Sequence, residues 1–101
     1  MTRLVTAPRF RSDISTILNY LEEVAGPRVA AQYSGRFEET IVRLTSFPES
    51  GAPRPALGPN TRLAIVQPYL VIYDFTSDDN TLTLLRVLHG RRNITRRLLG
   101  R

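Results

Sequence analysis

Between Arg86 and Arg101 the chain carries six arginines, its single histidine and no acid. His89 is the one side chain there whose ordinary pKa lies near neutrality, which makes it a candidate proton acceptor. Arg86, Arg91 and Arg92, with Arg62 from upstream, are candidate cations to stabilise a negative charge. A base and cations brought to one point would suit proton abstraction beside a developing negative charge. The same residues, joined by Arg96 and Arg97, would also serve as a docking charge for an acidic surface, with no reaction at all. Plainer uses stand beside these. Arg86 lies in an apolar run, where a charge needs a partner, and Asp74 is an available acid. His89 at a strand end suits a hydrogen-bonded structural role, and the last arginines suit a solvated helix end.

The rest of the composition excludes more than it suggests. Residues 1–85 hold eight arginines against all nine acids, so the whole basic excess of the chain, formally +5, is terminal. Every basic residue is an arginine, which rules out a GxxxxGK[ST] phosphate loop and any lysine base or Schiff base. One histidine and no cysteine rule out zinc sites of the HExxH or CxxC kind, and GxSxG does not occur. No cofactor and no metal are expected. At 101 residues and 42% hydrophobic content the chain suits one globular domain with one core. No apolar run is long enough to span a bilayer, so no membrane partner is expected. "MTRLVTAPRFR" lacks the features of a signal peptide, and absent cysteine agrees with a reducing cytoplasm.

The elements that must position the arginines fall into two halves. Phe10, Ile14, Ile17, Leu18, Leu21 and Val24 recur at steps of three and four, which predicts a helix with one apolar face. Gly26 and Pro27 end it and start another, whose stripe is Val29, Tyr33, Phe37, Ile41 and Leu44. So short a link makes an antiparallel helical hairpin, over about residues 8–47. "PESGAPRPALGPN", residues 48–60, is a connector, since four prolines and two glycines exclude a helix or a central strand. "TRLAIVQ", "YLVIYDF" and "TLTLLRVLH" then read as three antiparallel strands within 61–90, with "RLVTA" as a possible fourth. Residues 91–101 form a basic tail. The fold class expected is α+β, a helical hairpin packed on a small, mainly antiparallel sheet.

Both faces of that sheet read as apolar. Tyr69, Val71, Tyr73 and Phe75 alternate with Leu70 and Ile72, and Leu82, Leu84 and Leu88 oppose Leu85 and Val87. The hairpin covers one face. The other is either covered by the C-terminal segment folding back or left as an apolar groove of several hundred Å² for a partner protein.

The N-terminal strand, "DISTILNYL" in the first helix, the proline-rich link and the closing "LVIYDF…TLTLLRVLHGRRNI" together resemble the RelE/ParE superfamily of bacterial type II toxins. "RVLHGRRNI", Arg86 to Ile94, resembles the ParE branch, with Asn93 where an acid is usual. The resemblance implies a cytoplasmic toxin silenced by a cognate antitoxin, touching nucleic acid only through that antitoxin and, in the ParE branch, acting on DNA gyrase. The target-binding residues expected are Arg86, His89, Arg91, Arg92, Arg96 and Arg97. Those expected for the antitoxin are Leu70, Ile72, Tyr73, Leu85, Val87 and Arg62. RelE-type members instead cut messenger RNA on the ribosome with lysines, arginines and commonly a C-terminal tyrosine. This chain has no lysine and its last tyrosine is Tyr73, so an RNase built on it would rest on His89, Arg86 and Arg92. A generic basic nucleic-acid-binding module is the third reading.

Overall fold

In the computed structural model, which describes residues 1–101, the two proline-initiated helices run Pro8–Ala25 (α1) and Pro27–Ser46 (α2). Gly26 between them has φ +92°, a backbone conformation that side-chain-bearing residues rarely adopt, and its N–H donates to Glu22 O at 3.0 Å. The sharp reversal therefore depends on glycine at this position. Phe10, Ile14, Ile17 and Leu21 face the core as their spacing predicts. Val24 does not: it is exposed in the last turn of α1.

Five strands complete the fold: β1 (Arg3–Thr6), β2 (Ala52–Pro53), β3 (Thr61–Val66), β4 (Tyr69–Thr76) and β5 (Thr81–His89). They form one sheet in the order β1-β5-β4-β3-β2. β3, β4 and β5 are antiparallel neighbours, as their short links require. β1 pairs parallel with β5, a geometry that needs a long crossover, and the helical hairpin begins that crossover. Edge strand β2 is the one regular piece of the proline-rich connector.

The helices and one sheet face enclose the main core, with Leu44, Val71, Tyr73 and Leu82 fully buried. β4 alternates as expected, Tyr69, Val71, Tyr73 and Phe75 on the helix side and Ile72 on the other. β5 does not keep a period of two. Tyr73 pairs with Leu84 but Ile72 pairs with Arg86, so Leu85 is an extra residue in a bulge. Past the bulge the strand changes phase: Val87 joins the helix-side core and Leu88 the opposite face, the reverse of the strict alternation expected.

The second face is not an open groove. Leu63, Ile72 and Leu88 are buried there beneath Ile94, Leu98 and Leu99. The last two belong to a short 3-10 helix, Arg96–Leu99. The C-terminal segment folds back as a strap, the first of the two alternatives, and fills the apolar groove that a partner would otherwise occupy.

Burial leaves a mark on the tyrosines. Desolvation is the chief cause raising the Tyr73 phenol, and it raises Tyr69 too, with Tyr33 and Tyr20 adding in the same direction. A phenol whose pKa is raised by folding holds its proton more firmly in the native state, so stability falls as pH climbs past the ordinary value of about 10. Spectrophotometric titration should show Tyr69 and Tyr73 ionising late, with melting temperature dropping as pH rises past about 10.

Candidate functional site

Arg86 and Asp13 join the two halves of the molecule. Asp13 is flanked along α1 by Phe10 and Ile17, one turn to either side, which puts a carboxylate on the apolar face. Its two oxygens accept from Arg86 Nε at 2.7 Å and Nη2 at 2.9 Å, a bidentate pair with only 13% and 15% of the side chains exposed. The same carboxylate accepts from the Val87 N–H at 2.9 Å, beyond the point where β1 ends opposite Leu84. Hydrogen bonding to Asp13 holds the Arg86 guanidinium above its ordinary pKa, against the opposing pull of desolvation. Arg86 Nη1 donates to Leu98 O at 2.8 Å, so this one side chain binds α1, β5 and the strap. A carboxylate does partner Arg86, but it is Asp13; Asp74, the acid suggested for it, is engaged by Arg101.

Arg101 fastens the other end of the strap. Besides Asp74 it reaches Leu57 O at 2.9 Å and Thr61 Oγ1 at 2.8 Å. Thr61 in turn donates to Asp74 at 2.6 Å, so the buried hydroxyl is satisfied on both sides.

His89 ends β5 with its ring edge against Tyr69, centroids 5.8 Å apart. Its Nδ1 accepts from the Arg91 N–H at 3.1 Å, and its carbonyl accepts from the Arg92 N–H at 3.0 Å. A neutral imidazole that accepts at Nδ1 carries its proton on Nε2. Nε2 is then a donor, and proton abstraction at Nδ1 would first require breaking the turn's own hydrogen bond. His89 and Arg92 line one small depression of about 220 Å³ with Asp13 and Tyr69, whereas Arg86 turns to Asp13 and Leu98.

Arg91, Arg92, Arg96 and Arg97 are all exposed, and none makes an ion pair. They form a cationic surface on the outside of the strap, suited to an anionic partner. Of the residues expected to meet an antitoxin, Leu70 and Leu85 are half-buried beside the strap, but Ile72, Tyr73 and Val87 are buried. Tyr73 is a core anchor: its hydroxyl donates to Pro48 O at 2.8 Å and accepts from the Gly51 N–H at 2.9 Å. Arg62 holds the same connector through Glu49 O and Gly51 O, both at 2.8 Å. No three His, Cys, Asp or Glu side chains converge into a set of metal ligands. No helix is long and apolar enough to cross a membrane.

Asp13 and Arg101 are the functional-surface supports that reasoning along the sequence passed over. An acid with apolar neighbours at both i−3 and i+4 was the available signal for Asp13.

A family model described as the ParE toxin of the type II toxin-antitoxin system parDE matches residues 4–94. No curated protein sequence matches the chain. Among solved structures, the chromosomal ParDE system from P. aeruginosa aligns with TM-score 0.73 and 20% identity, over 88% of this chain and 96% of that one. The toxin-antitoxin complex RelBE2 of Mycobacterium tuberculosis gives 0.61 and 23%, over 87% and 96%. The isolated E. coli RelE toxin gives 0.60 and 14%, over 92% and 88%. At these identities the likeness is one of fold.

Proposed function

The chain belongs to the ParE toxin family of type II toxin-antitoxin systems, and from that premise we propose that a cognate antitoxin holds it silent in the cytoplasm and that, when free, it inhibits DNA gyrase by binding. His89, Arg91, Arg92, Arg96 and Arg97 supply the docking surface, and nucleic acid is met only through the antitoxin.

The observation that carries the reading is the way the candidate RNase set is tied down. Cleavage by a 2′-hydroxyl needs a free base and a free cation at the same phosphate. Here the His89 Nδ1 lone pair is taken by the Arg91 N–H, and Arg86 is spent on Asp13 and Leu98. What is left free is positive charge without a free base beside it, which suits adhesion to an acidic protein surface better than a reaction.

The test is plasmid supercoiling by purified gyrase with and without toxin, beside a ribosome-dependent RNA cleavage assay. Gyrase activity should change and message should stay intact. Replacing Arg91, Arg92, Arg96 and Arg97 together by alanine should slow association with gyrase and flatten its salt dependence, because long-range attraction is what salt screens. Stability should move by only a few tenths of a kcal/mol per exposed site. Codon-specific cleavage that disappears in His89→Ala would overturn the proposal in favour of a RelE-type ribonuclease.

A further inference from the structure

Tyr69 is only 7% exposed, yet its hydroxyl has no hydrogen-bond partner within the chain. Tyr73, on the same face of β4, both donates and accepts. The Tyr69 ring is held firmly, edge-to-face with Tyr33 at 5.8 Å, tilted against Phe37 at 5.9 Å and edge-to-face with His89 at 5.8 Å. No fully buried side-chain oxygen or nitrogen of the molecule is left unpaired, so this hydroxyl reaches the surface. A fixed phenol with a free O–H is a donor waiting for an acceptor that the chain does not supply.

Tyr69 lines the depression of about 220 Å³ between α1 and β5, in company with the donors Thr16, His89 and Arg92. His89 keeps its proton on Nε2, because Nδ1 accepts from the Arg91 N–H. Arg92 is exposed and pairs with no acid. The one carboxylate at the site, Asp13, is already engaged by Arg86 and by the Val87 N–H, and Arg86 balances its charge. Whatever enters must therefore accept hydrogen bonds, and Arg92 favours a negative charge on it. The remaining walls, Ile17, Val87 and Leu88, are apolar and suit a methylene stem. Tyr20, one turn beyond Thr16 on the same stripe of α1, is 57% exposed and carries the surface outward. Tyrosine and arginine together are the residues in which the energetic centres of interfaces are enriched.

We propose that this depression seats one acidic side chain of the target, its carboxylate accepting from the Tyr69 hydroxyl and His89 Nε2 and paired with Arg92, its stem against Ile17 and Leu88. The proposal rests on the target-binding reading above. It separates two tasks on one surface: the outer arginines draw the target in from a distance, and the depression holds it. Long-range charge acts mainly on the rate of association, and a desolvated contact on the rate of dissociation. A phosphate group would use the donors equally well but would leave the apolar walls unfilled.

The test is Tyr69→Phe, which keeps the ring packing and removes only the unpaired hydroxyl. Purified gyrase should leave this variant about tenfold faster than wild type, as expected for a lost hydrogen bond to a charged acceptor. Its association rate, salt dependence and melting temperature should stay unchanged. Arg96→Ala combined with Arg97→Ala should do the reverse, slowing association and leaving dissociation alone. A wild-type dissociation rate in Tyr69→Phe overturns the depression and leaves the target reading standing. A lowered melting temperature overturns it as well, since the hydroxyl would then serve the fold. The toxin alone supplies a second measurement. Propionate, the end of a glutamate side chain, should at constant ionic strength shift the Tyr69 and His89 ring resonances saturably, and less so in Tyr69→Phe. Inorganic phosphate acting at lower concentration would assign the site to a phosphate ligand and overturn the acidic side chain; no shift with either overturns the site. If wild-type toxin does not bind gyrase, the target reading fails and takes this inference with it.

Discussion

Asp13→Ala is expected to lower the free energy of unfolding by about 3–5 kcal/mol, the usual cost of removing one partner from a largely buried ion pair. The loss has two parts. Arg86 would keep its charge in a site with 13% of the side chain exposed, and the Val87 N–H would lose its acceptor. Because Arg86 also donates to Leu98 O, the strap should loosen together with α1. Chemical denaturation gives the magnitude, and a drop of under about 1 kcal/mol would mean that the pair contributes no more than an exposed one. A second variant separates charge from packing. In Asp13→Leu combined with Arg86→Met both charges are gone, so much of the stability should return. What fails to return measures the orphaned Val87 amide.

The second large effect is expected from Tyr73→Phe, which removes one oxygen and little volume. The Tyr73 hydroxyl is buried and holds two connector groups, Pro48 O and the Gly51 N–H. Leaving buried polar groups unpaired costs about 1–3 kcal/mol each, so a loss of roughly 2–3 kcal/mol is expected here. The Gly51 amide should exchange faster, and one of the late-titrating phenols should vanish from the alkaline titration. Gly51 admits no compensating side chain. A Cβ there would stand 2.8 Å from Leu63 O and closer still to the Tyr73 ring and hydroxyl. A wild-type melting curve for Tyr73→Phe would show that water replaces the hydroxyl and that the connector is held by Arg62 alone.

How far the sequence could be read depended on whether a feature was local. The hairpin was legible because the stripes Phe10–Leu21 and Tyr33–Leu44 keep a helical period and Gly26-Pro27 is a self-contained break. β4 was legible for the same reason, its alternation unbroken from Tyr69 to Phe75. β5 was not, because its bulge occurs where Asp13, seventy-four residues upstream of Val87, takes the strand's free amide. No period within "TLTLLRVLH" records that. One phase error there put Val87 and Leu88 on the wrong faces and made Val87 look available to a partner. The strap had been open as one of two possibilities. What decides it is a pair of distant anchors, Arg86 on Leu98 and Arg101 on Asp74, that neither composition nor spacing joins.

The exposed arginines were the easiest part of the site to find, since a run without acids declares itself. Their environment was harder. Arg86 and His89 read alike as candidates for chemistry, yet one is bound by a carboxylate and the other by a backbone N–H. That distinction is made by tertiary contacts and by a turn of two residues.

The parallel pairing of β1 with β5 also bears on when the protein becomes dangerous. β5 lies between β1 and β4, and α1 is tied to it through Asp13, so the strand that closes the molecule is made after every other strand. A nascent chain that has exposed only the hairpin and β3 has no centre to its sheet. Contacts between residues 3–6 and 81–84 span most of the sequence, and loops of that length close slowly compared with local turns. The closed sheet therefore forms only once β5 has been made, which leaves an interval in which a partner already present can meet the chain as it folds.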